Sequence, residues 1–239
     1  MKRLTAGLIT TLLLSPSVSF AQDDAAPPTA AAKTAADRVV MFDGKSLEGW
    51  KGREDLWSVE EGQIVGKTTD TDPIDANTFL IWQGDAPQDF ELVAWFKIEG
   101  GNSGIQYRSK IVDEAKFIVG GYQADIDFTN QFAGILYEER GRGILAQRGH
   151  QVTIDAEGKM HDQSFADGKA LASAIHPGEW NEYRIVARGN QLQHFINGTM
   201  TAEVIDQQPE KASSDGVIAF QLHRGPAMTV RFKNIVLLK

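Results

Sequence analysis

The sequence predicts an all-β protein built as an antiparallel β-sandwich. Apolar and polar residues alternate in short runs along most of the chain. Gly, Asp, Asn and Pro punctuate those runs at short intervals. No long stretch carries a helical period, so many short strands must pack as sheet on sheet.

The elements follow in order. Trp57 to Gly66 reads as a hairpin turning at Glu61-Gly62, and Asn77 to Trp82 as a short strand. Phe90 to Ile98 alternates most clearly. Phe90, Leu92, Ala94, Phe96 and Ile98 share one face, and Glu91, Val93, Trp95 and Lys97 share the other. Further strands are expected at Ser103–Ser109, Gly121–Asp127, Val152–Ile154, Trp180–Arg188, Gln191–Ile196, Val217–His223 and Met228–Leu238. Gly189-Asn190 reads as a tight turn, and Asn197-Gly198 is the strongest two-residue hairpin signal. Phe128–Gln151, rich in glycine and charge, reads as a long functional loop, and Ala156–Ala174 has room for a short helix.

The N-terminus reads as a processing signal. Lys2 and Arg3 precede an apolar run from Leu4 to Leu14, and Ser19-Phe-Ala21 supplies the small residues a signal peptidase reads. Cleavage after Ala21 is expected, giving an exported chain, periplasmic or secreted, with no membrane insertion after cleavage. Residues 22–37 read as an Ala/Pro-rich flexible linker. Residues 38–239 then form one domain. The chain has no cysteine, which excludes disulfides, thiolate metal sites and a cysteine nucleophile. A net charge of -8 argues against a nucleic-acid partner and suits a neutral ligand such as a carbohydrate. The oligomeric state is not written in the sequence.

Three strands carry unusual polar faces. Gln106 and Arg108 alternate with Ile105 and Tyr107. Gln123, Asp125 and Asp127 alternate with Tyr122, Ala124 and Ile126. Gln221 and His223 alternate with Phe220 and Leu222. A polar outer face is the ordinary state of an antiparallel sheet. Lys and Glu are its usual fillers, however, whereas these strands carry amides, Arg, Asp and His. Such groups suit a hydroxyl-rich ligand, because each hydroxyl both donates and accepts. Trp95, which points away from its strand's apolar set, offers a plane for a sugar ring. Asp125, Asp127, Glu138, Glu139, His194 and His223 are the candidate acids and bases. No cofactor is expected. The Asp125/Asp127 pair leaves calcium as an alternative, although no full oxygen-ligand pattern is present. No nucleophile elbow, P-loop or dinucleotide fingerprint occurs.

Several blocks together resemble one family. They are Phe42-Asp-Gly-Lys-Ser-Leu-Glu-Gly-Trp50, Gly62–Gly66, Asn102–Ser109, Gly121–Asp125, Gly178–Ile185, His194–Gly198 and Val230–Ile235. In their order and spacing they resemble the 3-keto-disaccharide hydrolase domain, over about residues 38 to 239. Where that pattern is rich in Glu or Gln after the Gly-Tyr, this chain has Gln123-Ala-Asp-Ile-Asp127. The resemblance implies a concanavalin A-like jelly roll of two antiparallel sheets. It also implies a glycosidase acting on glycosides oxidised to a ketone at C3 of glucose.

A C3 ketone acidifies the C2 proton. A base can remove it, the C1 substituent leaves by elimination, and hydration completes a net hydrolysis. On that chemistry Asp125 or Glu138 is the expected base, Arg108 with Gln123 the clamp on the C3 oxygen, and His223 the acid. Asn102, Gln106, Gln123, Trp95, Tyr137, Arg142, His194 and Gln221 are the expected substrate-binding residues. The alternative is a lectin-like module that binds carbohydrate without turnover, because fold alone does not decide.

Overall fold

A computed structural model describes residues 37–239. The expected signal peptide and the linker up to residue 36 lie outside the described residues. In chain order the strands are β1 (Arg38–Val40), β2 (Trp50–Lys51), β3 (Trp57–Glu60), β4 (Gln63–Thr68), β5 (Thr78–Trp82) and β6 (Phe90–Glu99). They continue with β7 (Asn102–Asp113), β8 (Ile118–Asp127), β9 (Leu136–Glu139), β10 (Gly143–Ala146), β11 (His150–Ile154) and β12 (Met160–Ser164). After helix α1 (Gly168–Ala172) come β13 (Asn181–Arg188), β14 (Gln191–Ile196), β15 (Thr199–Asp206), β16 (Val217–Leu222) and β17 (Met228–Leu238).

These strands form two sheets, the jelly-roll sandwich that the alternation requires. One runs β12-β11-β15-β14-β13-β6-β17-β4-β3, with β1 also on β17; the other runs β10-β9-β8-β7-β16-β5-β2. Their facing sides make one core. Leu92, Ala94, Phe96, Tyr183, Ile185 and Phe232 come from the first sheet, and Ile105, Tyr107, Tyr122, Ala124, Ile126 and Phe220 from the second. Phe220 and Phe232 stack across it with centroids 3.9 Å apart. The alternation of β6 is seen as expected, with Phe90 to Ile98 buried at every second position.

Two expectations need correction. The sheets are not wholly antiparallel, because β11 runs parallel to β15. The stretch Phe128–Gln151 is not one loop, since β9, β10 and the start of β11 lie within it. Each of those strands is only 4 or 5 residues long, too short for periodicity to stand out from the glycines around it. The short helix expected within Ala156–Ala174 is α1, and strand β12, paired to β11, precedes it. The Asn197-Gly198 turn joins β14 to β15, with both residues at positive φ.

Candidate active site

The site lies on the second sheet, on the side turned away from the core. Tyr122, Ala124 and Ile126 point inward, so Gln123 and Asp125 point outward. Gln106 of β7 is the cross-strand partner of Gln123, and Gln221 of β16 points the same way. A chain of hydrogen bonds links them. Ser109 Oγ donates to Gln106 Oε1 at 2.6 Å, and Gln106 Nε2 donates to Gln123 Oε1 at 2.7 Å. Gln221 Nε2 donates to the same oxygen at 3.1 Å, and Gln123 Nε2 donates to Asp125 Oδ1 at 2.6 Å. The chain therefore ends on a carboxylate. It needs glycine at position 104, because a Cβ there would lie 2.6 Å from the Gln123 side chain.

Asp125 opens into a cavity of about 740 Å³. Asn102, Gln123, Asp127, Tyr137, Glu139, His223 and Arg224 share its lining, with Phe132, Ile135, Ile144 and Pro226 as apolar members. Burial pushes the Asp125 carboxyl up to about 7, against hydrogen bonds from Gln123 and Asn102 that lower it, while the Glu139 and Asp127 charges raise it further. A carboxyl that titrates there is half ionised near neutrality, as a general base requires. Asp127, by contrast, holds a loop. Its Oδ2 accepts from Thr129 Oγ1, Gln131 N and Phe132 N at 2.6, 2.8 and 3.0 Å, and its Oδ1 accepts from Thr129 N at 3.2 Å. Among the described residues no group of three or more His, Asp or Glu side chains is arranged to hold a metal ion.

The lining includes Asp125, His223, Asn102, Gln123 and Tyr137 of the expected set. The others lie elsewhere, each for a local reason. Arg108 sits on a β-bulge at φ +46, which breaks the strict alternation of β7. Its guanidinium donates to the carbonyls of Gln88, at 2.5 and 3.0 Å, and of Gly189, at 2.7 Å, and approaches Asp89 at 3.4 Å. It joins the β13–β14 turn to the segment before β6 and lies outside the cavity lining. Glu138 points to the opposite side of β9 from Tyr137. It is held by Arg142 Nε at 2.6 Å, and Arg142 also pairs with Asp206 at 2.6 Å. Neither Glu138 nor Arg142 lines the cavity, whereas Asp125 does.

His194 is in the core between the sheets. Tyr107 Oη donates to its Nε2 at 2.9 Å, and its Nδ1 donates to the Ile135 carbonyl at 3.2 Å. Burial pushes its imidazole down to about 3. Trp95 lies on the other sheet, paired with Glu182 and Lys233. Gln106 and Gln221 are fully buried and reach the cavity only through Gln123.

Sequence reasoning missed several lining residues. Asn77 Nδ2 donates to Glu139 Oε1 at 3.1 Å, and Asn77 Oδ1 accepts from Arg224 N at 2.8 Å. Asn77 thus ties the start of β5 to β9 and to the β16–β17 turn. Glu139, one of the candidate acids of the sequence, is held in the lining by Asn77. The turn signal Arg224-Gly-Pro226 directly after His223 was the one available pointer to Arg224.

Comparison with known proteins agrees with this architecture. No curated protein matches the chain. A proposed glycosyl hydrolase from Parabacteroides distasonis superposes with a TM-score of 0.56 at 19% identity, covering 85% of this chain and 94% of its own. The carbohydrate-binding module CBM66 from Bacillus subtilis superposes at 0.52 with 13% identity, covering 80% and 96%. At such identities the likeness is one of fold. Residues 37–238 match the family described as the 3-keto-alpha-glucoside-1,2-lyase-like domain. The chain belongs to that family.

Proposed function

We propose that the protein cleaves 3-keto-glucosides by elimination, with Asp125 as the base. The observation that carries this reading is a buried carboxyl at the cavity floor, held by Gln123 and Asn102 and raised to about 7. Its carboxylate takes the C2 proton, and the C2–H electrons pass into an enolate toward the C3 oxygen. The enolate then expels the C1 oxygen, leaving a C1=C2 double bond conjugated with the C3 ketone. Water adding to that enone gives the free 3-keto sugar, so the net change is hydrolysis. Arg224 is the arginine among the lining residues, exposed and with Nη1 3.5 Å from the Asp75 carbonyl, and is the candidate for the developing oxyanion in place of Arg108. His223 is the candidate acid for the departing oxygen.

Family membership supports the substrate class, and the concave site supports a small ligand. The likeness to CBM66 favours a second reading, binding without turnover. Incubating the pure protein with methyl 3-keto-glucoside separates the two. The elimination reading expects methanol and an absorbing enone; tight binding with neither product would establish the module. Our reading of residues 1–21 as an export signal supports a reaction outside the cytoplasm, which N-terminal sequencing of exported protein tests.

A further inference from the structure

The cavity has two chemically different sides. In the second sheet Gln123, Asp125 and Asn102 lie on the middle strands β8 and β7. Asn77, His223 and Arg224 stand at the β16–β5 side. On the other side are Tyr137 of β9, Ile144 of β10, and Phe132 and Ile135 in the turn that leads into β9. Tyr137 and Ile144 are cross-strand partners, so their side chains adjoin on one face. Phe132 is 38% exposed and Ile144 36%, which leaves large apolar groups open to water at the wall of a polar site.

We infer that the β9–β10 side is the aglycone subsite and that it takes a flat apolar aglycone, such as an aryl group, in preference to a second sugar. This rests on the reading of the polar floor as the 3-keto-sugar site. The volume of about 740 Å³ lies well inside the range of pockets that enclose ligands larger than one sugar ring. A second sugar would press its hydroxyls against Ile135 and Ile144, whose side chains neither donate nor accept. Hydroxyls desolvated without partners are costly. An aryl ring meets the same wall without that cost and removes water from Phe132 and Ile144 together. Gln131 and Glu139 border the wall, but Glu139 is already tied to Asn77. An aryl alcohol is also the better leaving group, so its C1–O bond breaks with less help from an acid.

The test is calorimetric titration of the full chain carrying Asp125→Asn, which blocks turnover, with the methyl, phenyl and glucosyl 3-keto-glucosides of one anomer. The phenyl compound is expected to bind at least about tenfold tighter than the methyl compound, from the apolar area it covers. It is also expected to bind tighter than the disaccharide. Adding Ile144→Ser or Phe132→Ser should cut the phenyl-to-methyl ratio about threefold or more. Both positions are partly exposed, so these variants keep the core intact. Equal binding of phenyl and methyl compounds, tighter binding of the disaccharide, or a ratio untouched by both variants overturns the subsite. Failure to bind any of the three overturns the sugar site itself and the subsite with it. Aryl-selective binding while the unsubstituted protein turns nothing over sinks only the enzymatic reading and leaves the subsite standing.

Discussion

Asp125 and His194 are both buried, and they respond to pH in opposite senses. The folded Asp125 carboxyl is raised to about 7 from an ordinary value near 4, so between those pH values the folded chain binds more proton than the unfolded chain. Its contribution makes stability fall as pH rises through that window. The folded His194 imidazole is lowered to about 3 from about 6.5, so there the unfolded chain binds more proton and stability rises with pH. Each effect amounts to a few kcal/mol and the windows overlap, so they largely cancel between about pH 4 and 6.5. Asp125→Asn removes one of them. Its denaturant midpoint should climb with pH across that interval and exceed that of the unsubstituted protein at pH 8. A midpoint lower at pH 8 would mean that the Asp125 charge stabilises the fold. Gln123 is a separate handle. Its donated hydrogen bond lowers the Asp125 pKa, so Gln123→Met should move the midpoint of the pH–rate profile to higher pH. A downward move would contradict the network.

At the scale of elements, the site depends on how short segments are held. Asp127 accepts four hydrogen bonds from Thr129 to Phe132, and that turn carries part of the cavity wall. Asp127→Ala should raise KM several-fold more than it lowers kcat, because it loosens a wall and leaves the base in place. Equal loss in both would mean that Asp127 acts in the chemistry. Arg142 is bonded to Glu138 and Asp206, both buried, and Tyr122 Oη donates to Asp206 at 2.5 Å. Arg142→Met leaves two buried carboxylates unpaired and should lower unfolding stability by about 3–5 kcal/mol. The activity of the folded fraction should persist; its loss would restore Arg142 to the site.

The long strands were legible because apolar and polar residues alternate along them with a period of two, as in Phe90–Ile98, where burial alternates too, and in Tyr122, Ala124 and Ile126 against Gln123, Asp125 and Asp127. Strands β9 and β10 were not, since a few residues among glycines and charges carry no measurable period. The same physics divided the site residues. Gln123 and Asp125 follow regular alternation and line the cavity. Arg108 sits where a bulge interrupts it, and the glycines at 121 and 216 let the neighbouring backbones approach that bulge closely. Glu138 and Arg142 carry charge in a glycine-rich segment, which reads as an open functional loop in sequence but closes on Asp206 in the fold. Asn77 reaches the cavity through contact with a segment 147 residues away, which no local pattern announces, and Arg224 is marked only by the turn signal after His223.

In the whole molecule, two sheets bury one aromatic and aliphatic core and leave the other side of the second sheet to carry a cavity floored by a single raised carboxyl. The proposed role of that carboxyl is to remove the C2 proton of a 3-keto-glucoside. The most direct measurement is single-turnover cleavage of methyl 3-keto-glucoside carrying deuterium at C2, by the unsubstituted protein and by Asp125→Asn. The account predicts a primary isotope effect, a rate that rises with pH to a plateau above about 7, and a loss of at least about a hundredfold in Asp125→Asn. Cleavage with no isotope effect, or at full rate in Asp125→Asn, would contradict it.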